Sequence, residues 1–516
     1  MIVGPERHPR PEHNSRLSST VVNGGLWLGA SAVVQTILQI VIFAILARLL
    51  TPSEFGLVAV ANIVTDFVTG LATMGVSQAL VQKKNLTPII VRAAFTSSLL
   101  VGALSTGAVY LLSWPIAGLM NAPGVTPLIQ ALSVTFFIRS LSLVPLGLAS
   151  RGKKFKLLGL RQVVSYTIGY GIVGVFAAYR GCGAWSLIFA QVSQASVITI
   201  LMFSSVRFES RFTLDRAAHK AIAGFGSGYS FARILNSLAN QADRMVVGVF
   251  LPLPLVGVYS RALQIARYPA LIFGQVIEDV LFPSFSGIQG ETGRLGEAYT
   301  KAIGSISIIM TPISVFVILA SQQICAVLLG AAWGDAPQIV AIMAAVLIFR
   351  SAQRVTSAVL RALGRSWLVA ALQALFFVLT ATGSMIGVRY GLLGVSVAVT
   401  GAVVCQYVAS LYLCGKYIDI VFVKLLRTHL AAAPLSMVTA ICIVAVEILL
   451  SEARPEVQLA VMAITVILSA IIVVIILPRV FLQLDGIWLF GTLYNRLPYS
   501  VRKNSFLTLI SARILN

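Results

Sequence analysis

The chain has 516 residues, of which 58% are hydrophobic and 11% charged, with mean hydropathy +0.92 and a formal net charge of +21. Soluble globular domains carry about a quarter charged residues, so a soluble fold is excluded. Apolar runs of 18 or more residues recur, each long enough to cross ~30 Å of hydrocarbon, and the ~10-residue alternation of a membrane β-barrel is missing. The sequence predicts an all-α polytopic membrane protein.

In chain order, residues 1–21 are polar and proline-broken and read as a flexible cytoplasmic tail without a cleavable signal peptide. Six spans follow at 22–47, 55–80, 93–118, 126–149, 157–178 and 183–204, an N-terminal six-helix bundle over 22–204. A basic linker, 205–220, leads to six more at 221–250, 255–282, 301–329, 335–360, 366–388 and 392–415, a second bundle over 221–415. Two additional spans, 428–450 and 457–478, complete fourteen, and a basic cytoplasmic tail covers 479–516. That tail reads either as an amphipathic helix on the inner surface or as a plain tether.

Lysine and arginine set the orientation. With the N-terminus inside, 26 of them fall in inner segments and four (Arg48, Arg180, Arg389, Arg454) in outer loops. Both termini are therefore expected in the cytoplasm. The net +21 needs no nucleic acid, because most of it is this topology signal facing an anionic inner leaflet. The five cysteines (Cys182, Cys325, Cys405, Cys414, Cys442) are scattered, so neither a disulfide framework nor a metal site is expected. His8, His13, His219 and His429 fall in the N-terminal tail or inner loops.

The chain also repeats itself. An offset of 211 aligns Arg139-Ser140 in "FFIRS" with Arg350-Ser351 in "LIFRS", each inside an apolar run. An offset of 201 aligns "LTPSEFG" (50–56) with "LPLPLVG" (251–257), and Gln35 and Gln39 with Asn236 and Asn240. Members of each amide pair are four apart and share a helix face. Two six-span halves of like orientation fit this pattern.

The segment "NSLANQADRMVVGVFLPLPLVGVYSRALQIARYPALIFGQVIEDVLFPSFSGIQ" (236–289) resembles the seventh and eighth helices of the polysaccharide transporter family. "ARLLTPSEFGLVAVANIV" (47–64), "GVSQALVQKK" (75–84) and "RGKKF" (151–155) resemble further landmarks of that family, which lies within the multidrug, oligosaccharidyl-lipid and polysaccharide exporter superfamily. The resemblance covers roughly residues 22 to 420. It implies a V-shaped exporter fold in the bacterial plasma (inner) membrane, with helices one, two, seven and eight lining a central cavity. It also implies flipping of an undecaprenyl-pyrophosphate-linked oligosaccharide for exopolysaccharide or lipopolysaccharide biosynthesis. Implied partners are that lipid-linked oligosaccharide, membrane lipids, and a polysaccharide polymerase and co-polymerase. The oligomeric state is left open, and a monomer is compatible.

Such cargo needs a polar, cationic path, since its pyrophosphate and hydroxyls cannot enter hydrocarbon unpaired. Eight arginines fall inside spans: Arg139, Arg161, Arg233, Arg244, Arg261, Arg267, Arg350 and Arg354. Five acids do: Asp66, Asp243, Glu278, Asp279 and Glu447. Each charge costs on the order of 3 kcal/mol at a helix centre, which makes function the default reading. The planar guanidinium fork suits phosphate. Arg233, Arg261 and Arg244 are cargo candidates, with Gln35, Gln39, Asn236 and Asn240 (and Asn62 and Gln264) for sugar hydroxyls, against the alternative that these amides join helices. Arg139, Arg350 and Arg354 stand between a structural brace and a cargo role. Arg161 and Arg267, read near inner ends, fit snorkelling to the interface. Asp243 with Arg244 fits local polar contacts as well as function. Asp66, mid-span in helix two, is the candidate for proton or sodium coupling, against a structural hydrogen bond. No cofactor is expected.

No GxxxxGKS/T phosphate loop appears, which argues against ATP hydrolysis in this chain. A multidrug exporter of the same superfamily should favour cavity acids. A peptidoglycan-precursor exporter shares the expected fold and cationic cavity. A membrane polymerase or ligase should carry a large outer loop with catalytic residues, whereas every outer connection here is about ten residues or shorter. The reading is a transporter, not an enzyme.

Overall fold

A computed structural model describes residues 11–72, 76–83, 85–220, 222, 237–420, 422–430 and 432–476. Residues 1–10 and the tail from 479, half of the predicted seventh span, and the candidates Arg233 and Asn236 lie outside the described residues. Among those described, all regular structure is helical. The chain forms two compact units, Met1–Ser237 and Leu238–Asn516.

Unit 1 begins with α1 (Pro11–Leu49), so residues 11–21 of the expected flexible tail are helical. Proline is compatible with a first helical turn, which explains the early start. α2 (Pro52–Ala72) follows through a reciprocal cap. The Thr51 amide donates to Glu54 Oε2 at 2.7 Å, and the Glu54 amide donates back to Thr51 Oγ1 at 3.3 Å. Thus "TPSE" is a capping box with proline at the first helical position. Its repeat counterpart "PLPL" (252–255) has no such side chains.

α3 (Val76–Gln82), α4 (Pro88–Leu119), α5 (Thr126–Arg151), α6 (Phe155–Tyr179) and α7 (Trp185–Ser205) complete the unit. α5 is its centre, packed against α2, α3, α4 and α7. The Arg151 guanidinium at its end donates to the Leu80 carbonyl of α3 at 2.9 Å. A π-helical stretch in α6, Thr167–Gly174, brings Gly169 and Gly174 against Ala190 of α7. A Cβ on Gly169 would stand 2.7 Å from the Ala190 carbonyl oxygen. Small residues allow such close approach where lipid supplies no hydrophobic drive between helices.

Unit 2 contains α8 (Ala242–Phe250), α9 (Leu253–Ser286), α10 (Thr292–Leu319), α11 (Ser321–Leu328), α12 (Ala336–Ala344), α13 (Leu347–Ala362), α14 (Ser366–Gly387), α15 (Gly391–Cys414), α16 (Phe422–Leu430), α17 (Ala433–Leu449) and α18 (Pro455–Ile476). Its core joins Leu295, Tyr299 and Ile303 of α10 to Val355, Val359 and Leu360 of α13 and to Tyr407 and Cys414 of α15. The expected ninth span is divided at Ala320 into α10 and α11. The expected tenth bends by 43° between α12 and α13. Just beyond that break, in its first turn, α13 carries Arg350.

Among the described residues, nine helical stretches are long and apolar enough to cross a membrane, or ten if the bent pair counts as one span. One stretch, Ser366–Cys414, has 49 residues, more than twice what one crossing needs. A tight turn at Val388–Tyr390 and Gly391, at φ 70°, lead α14 into α15, which packs against it. A Cβ on Gly387 would meet the Gly394 carbonyl oxygen at 2.5 Å.

Candidate functional site

The densest buried charge among the described residues lies in unit 2. Asp243, in the first turn of α8, is 1% exposed. Its Oδ2 accepts the Tyr259 hydroxyl of α9 at 2.8 Å. Arg267 Nη2, two turns further along α9, lies 3.8 Å from the same oxygen. Tyr259 and Arg267 are eight apart, so one helix face presents both to α8. Arg350 on α13 lies within electrostatic range of Asp243, Tyr259, Arg267 and Arg354. Arg350 and Arg354 are four apart, one turn on a shared face.

Depth follows from helix position. Arg267 falls near the middle of α9, well inside its ends at Leu253 and Ser286. Arg350 falls near the middle of the run from Ala336, where α12 begins, to Ala362, where α13 ends. At 1.5 Å per residue both lie about 20 Å from the starts of their runs. Snorkelling of Arg267 is thereby corrected: the residue falls at the middle of α9, as it does of the expected span 255–282, and the guanidinium turns to a buried carboxylate. Arg267 and Arg350 near one carboxylate leave a cationic excess in a low-dielectric setting. Asp243 Oδ1 and Arg267 Nε are buried and make no hydrogen bond. The arrangement is suited to accepting an anion with several oxygens.

A second polar row runs along α9. Arg261 Nη1 donates to Gln264 Oε1 at 2.8 Å, and Gln264 Nε2 donates to the Tyr268 hydroxyl at 2.7 Å. Arg244 Nη2 donates to the Asn240 carbonyl at 3.4 Å, and both residues are half-buried. Arg261, Arg244 and Asn240 are thus carried by α9, by α8 and by the turn before α8.

In unit 1, Gln35 and Gln39 are half-buried, one turn apart on α1. Asp66 on α2 is exposed rather than enclosed. Arg139 is half-buried on α5 and makes no ion pair among the described residues. Arg139 and Arg350 therefore share a place in the repeat but not an environment. No group of three or more His, Cys, Asp or Glu that could hold a metal occurs among the described residues. Tyr259 and Tyr268 are site residues that sequence reading missed. Their signal was spacing, since each falls on the arginine-bearing face of α9.

A chain whose described residues are helical, with repeated apolar stretches and half-buried arginines, is a multi-pass membrane protein. Its fold is that of a known group. It superposes over 87% of its length on 99% of the lipid II flippase MurJ in an inward closed conformation, with TM-score 0.67 and 12% identity. It superposes over 74% on 95% of an inward-facing multidrug resistance MATE family transporter of the MOP superfamily, with TM-score 0.59 and 18% identity.

The chain belongs to the polysaccharide biosynthesis protein family, whose model matches residues 45–338. It is 25% identical over 308 residues to the succinoglycan biosynthesis transport protein ExoT of Rhizobium meliloti (60% of this chain, 62% of that one). It is 23% identical over 346 residues to the lipopolysaccharide biosynthesis protein WzxC of Escherichia coli (65% and 68%). To the teichuronic acid biosynthesis protein TuaB of Bacillus subtilis it is 24% identical over 352 residues (68% and 73%). The chain thus spans about two thirds of the length of these relatives.

Proposed function

We propose that this chain is a flippase that moves undecaprenyl-pyrophosphate-linked oligosaccharide units across the bacterial inner membrane by alternating access, for exopolysaccharide or lipopolysaccharide assembly. The single observation that carries the reading is the excess of half-buried arginine around the buried Asp243. Arg267, Arg350 and Arg354 would receive the pyrophosphate. Arg261, Gln264 and the amide of Asn240 would receive sugar hydroxyls. Family membership and the pathway names of ExoT, WzxC and TuaB support the same cargo class. In this proposal fourteen helices cross the bilayer, both termini are cytoplasmic, and no reaction is catalysed. A polymerase and co-polymerase would take up the product, and a proton or sodium ion would couple transport.

A multidrug exporter is the rival within the fold. It calls for carboxylates toward organic cations, whereas the cluster here is arginine-rich. Two measurements test the proposal. Deleting the gene should abolish surface polysaccharide and leave lipid-linked units facing inward. Purified protein in vesicles should flip a fluorescent pyrophosphate-linked lipid oligosaccharide. Surface polysaccharide at normal levels in a strain without a second exporter would overturn the assignment.

A further inference from the structure

Each unit contains a serine–histidine pair. In unit 1 the Ser97 hydroxyl of α4 lies 2.7 Å from His219 Nδ1, and His219 Nε2 lies 3.0 Å from the Thr213 carbonyl oxygen. In unit 2 the Ser307 hydroxyl of α10 lies 3.1 Å from His429 Nδ1, and His429 Nε2 lies 2.9 Å from the Tyr407 hydroxyl. Partners are 122 residues apart in both pairs. The two serines are 210 apart, as are the two histidines, one residue from the 211 between Arg139 and Arg350, so the pairs occupy matching places in the two halves. A carbonyl only accepts, so His219 donates from Nε2 to Thr213, and in that tautomer Nδ1 accepts a hydrogen bond from the Ser97 hydroxyl.

A second tie has only its acidic end at the same offset, since the partners Arg92 and Thr292 are 200 apart. Glu209 pairs with Arg92 of α4, and Asp419 accepts the Thr292 hydroxyl of α10 at 3.1 Å. Glu209 and Asp419 are again 210 apart. In each half the segment that leaves the last helix of a bundle, α7 or α15, returns to one earlier helix, α4 or α10.

The opposite sides of these segments are apolar and basic. Phe212 and Leu214 are 72% and 84% exposed, among exposed Arg207, Arg211, Arg216 and Lys220. On α16, Val423, Leu426 and Leu430 are about three-fifths exposed, at helical spacing, with Arg427 beside them and Lys424 on the same helix. Water does not suit the apolar groups and hydrocarbon does not suit the cations. A bilayer surface suits both, and basic residues add attraction for anionic headgroups.

We infer that the two segments are copies of one device, a membrane-surface anchor for anionic phospholipid headgroups, each clasped to its own bundle by a serine–histidine pair. The clasp makes anchor and bundle one body, so lipid binding at the surface positions the helices behind it.

The test uses full-length protein spin-labelled singly at Leu214→Cys or Leu426→Cys, with the five native cysteines replaced by serine, in phosphatidylcholine vesicles with and without phosphatidylglycerol. In anionic vesicles both labels should be immobile, with the oxygen-over-nickel accessibility of the interface. Without phosphatidylglycerol that immersion should be lost. His219→Ala should mobilise only the label at 214, and His429→Ala only the label at 426. His429→Gln, whose amide can keep one ring contact, should retain immobility and guards against a general loss of fold. Water-like accessibility in anionic vesicles, equal immersion without anionic lipid, or unchanged mobility in both alanine variants would overturn the inference.

Discussion

The Arg267 guanidinium lies 3.8 Å from the Asp243 carboxylate, and the oxygen it approaches already accepts the Tyr259 hydroxyl at 2.8 Å. One carboxylate oxygen therefore ties α8 to α9 twice. Arg267 is only about a fifth exposed, so removing Asp243 strands its charge. Breaking one side of a buried pair costs about 3–5 kcal/mol. Asp243→Ala should lower the yield and melting temperature of folded protein in detergent. Asp243→Ala combined with Arg267→Met should recover most of that loss, because no buried charge is left behind. Equal instability of the single and double variants would mean that Arg267 is held by other groups.

Arg350 and Arg139 separate cargo from scaffold. A charged hydrogen bond contributes about 1.5–3 kcal/mol, which corresponds to roughly 10- to 150-fold in rate. Arg350→Ala should reduce flipping per molecule by that order, with folded protein retained. Arg350→Lys should recover part of it, since lysine keeps the charge but not the planar fork. Arg139→Ala, outside the cluster, should leave flipping per molecule close to wild type. Flipping assays normalised to protein in the vesicle membrane decide the matter, and equal losses at the two positions would return them to a common role.

Much of the architecture could be read from apolar runs because lipid imposes one rule on every crossing, and helix ends moved by only a few residues across most of the chain. Contacts between distant segments could not be read this way. Arg267 falls at the middle of the expected span 255–282 as it does of α9, so its depth was legible, whereas its pairing with Asp243 of α8 is tertiary. The break before Arg350 carries no proline or glycine and comes from packing, with Ser314 of α10 donating to the freed Ala344 carbonyl at 2.5 Å. The Ser97–His219 and Ser307–His429 pairs were within reach, since an offset of 210, one residue from the 211 between Arg139 and Arg350, aligns all four residues. Their partnership across 122 residues is tertiary, and no local period encodes it.

The α14–α15 hairpin depends on Gly387 and Gly394. A Cβ at Gly387 would stand 2.5 Å from backbone oxygen, which cannot move aside as a side-chain tip can. Overpacking of this kind costs about 1–3 kcal/mol. Gly387→Ala should lower the melting temperature in detergent. Gly401→Ala on α15, where nothing lies within 4 Å of the added carbon, should leave it unchanged. A neutral Gly387→Ala would show that the helices separate at little cost.

Native cysteine offers the test of orientation. Cys182 is exposed in the turn between α6 and α7, on the side that the lysine and arginine count places outside. Cys405 is also exposed, but it lies in the interior of α15, between Gly391 and Cys414, where an exposed face meets lipid. Cys325 and Cys414 are buried, and Cys442 is half-buried with its thiol directed to Ser469 at 3.3 Å. A charged, impermeant maleimide reaches thiols in water and is excluded from hydrocarbon and from packed cores. Intact spheroplasts carrying the wild-type chain should therefore label at Cys182, and Cys182→Ser should abolish the signal. In a cysteine-free background, single cysteines at the exposed positions Asn121 and Asp335 should label from the same side, whereas one at exposed Lys154 should label only after permeabilisation. Labelling at Lys154 in intact cells, with silence at Cys182 until they are opened, would invert the chain in the membrane. The basic loops would then face outward, and the proposed direction of cargo movement would fall with them.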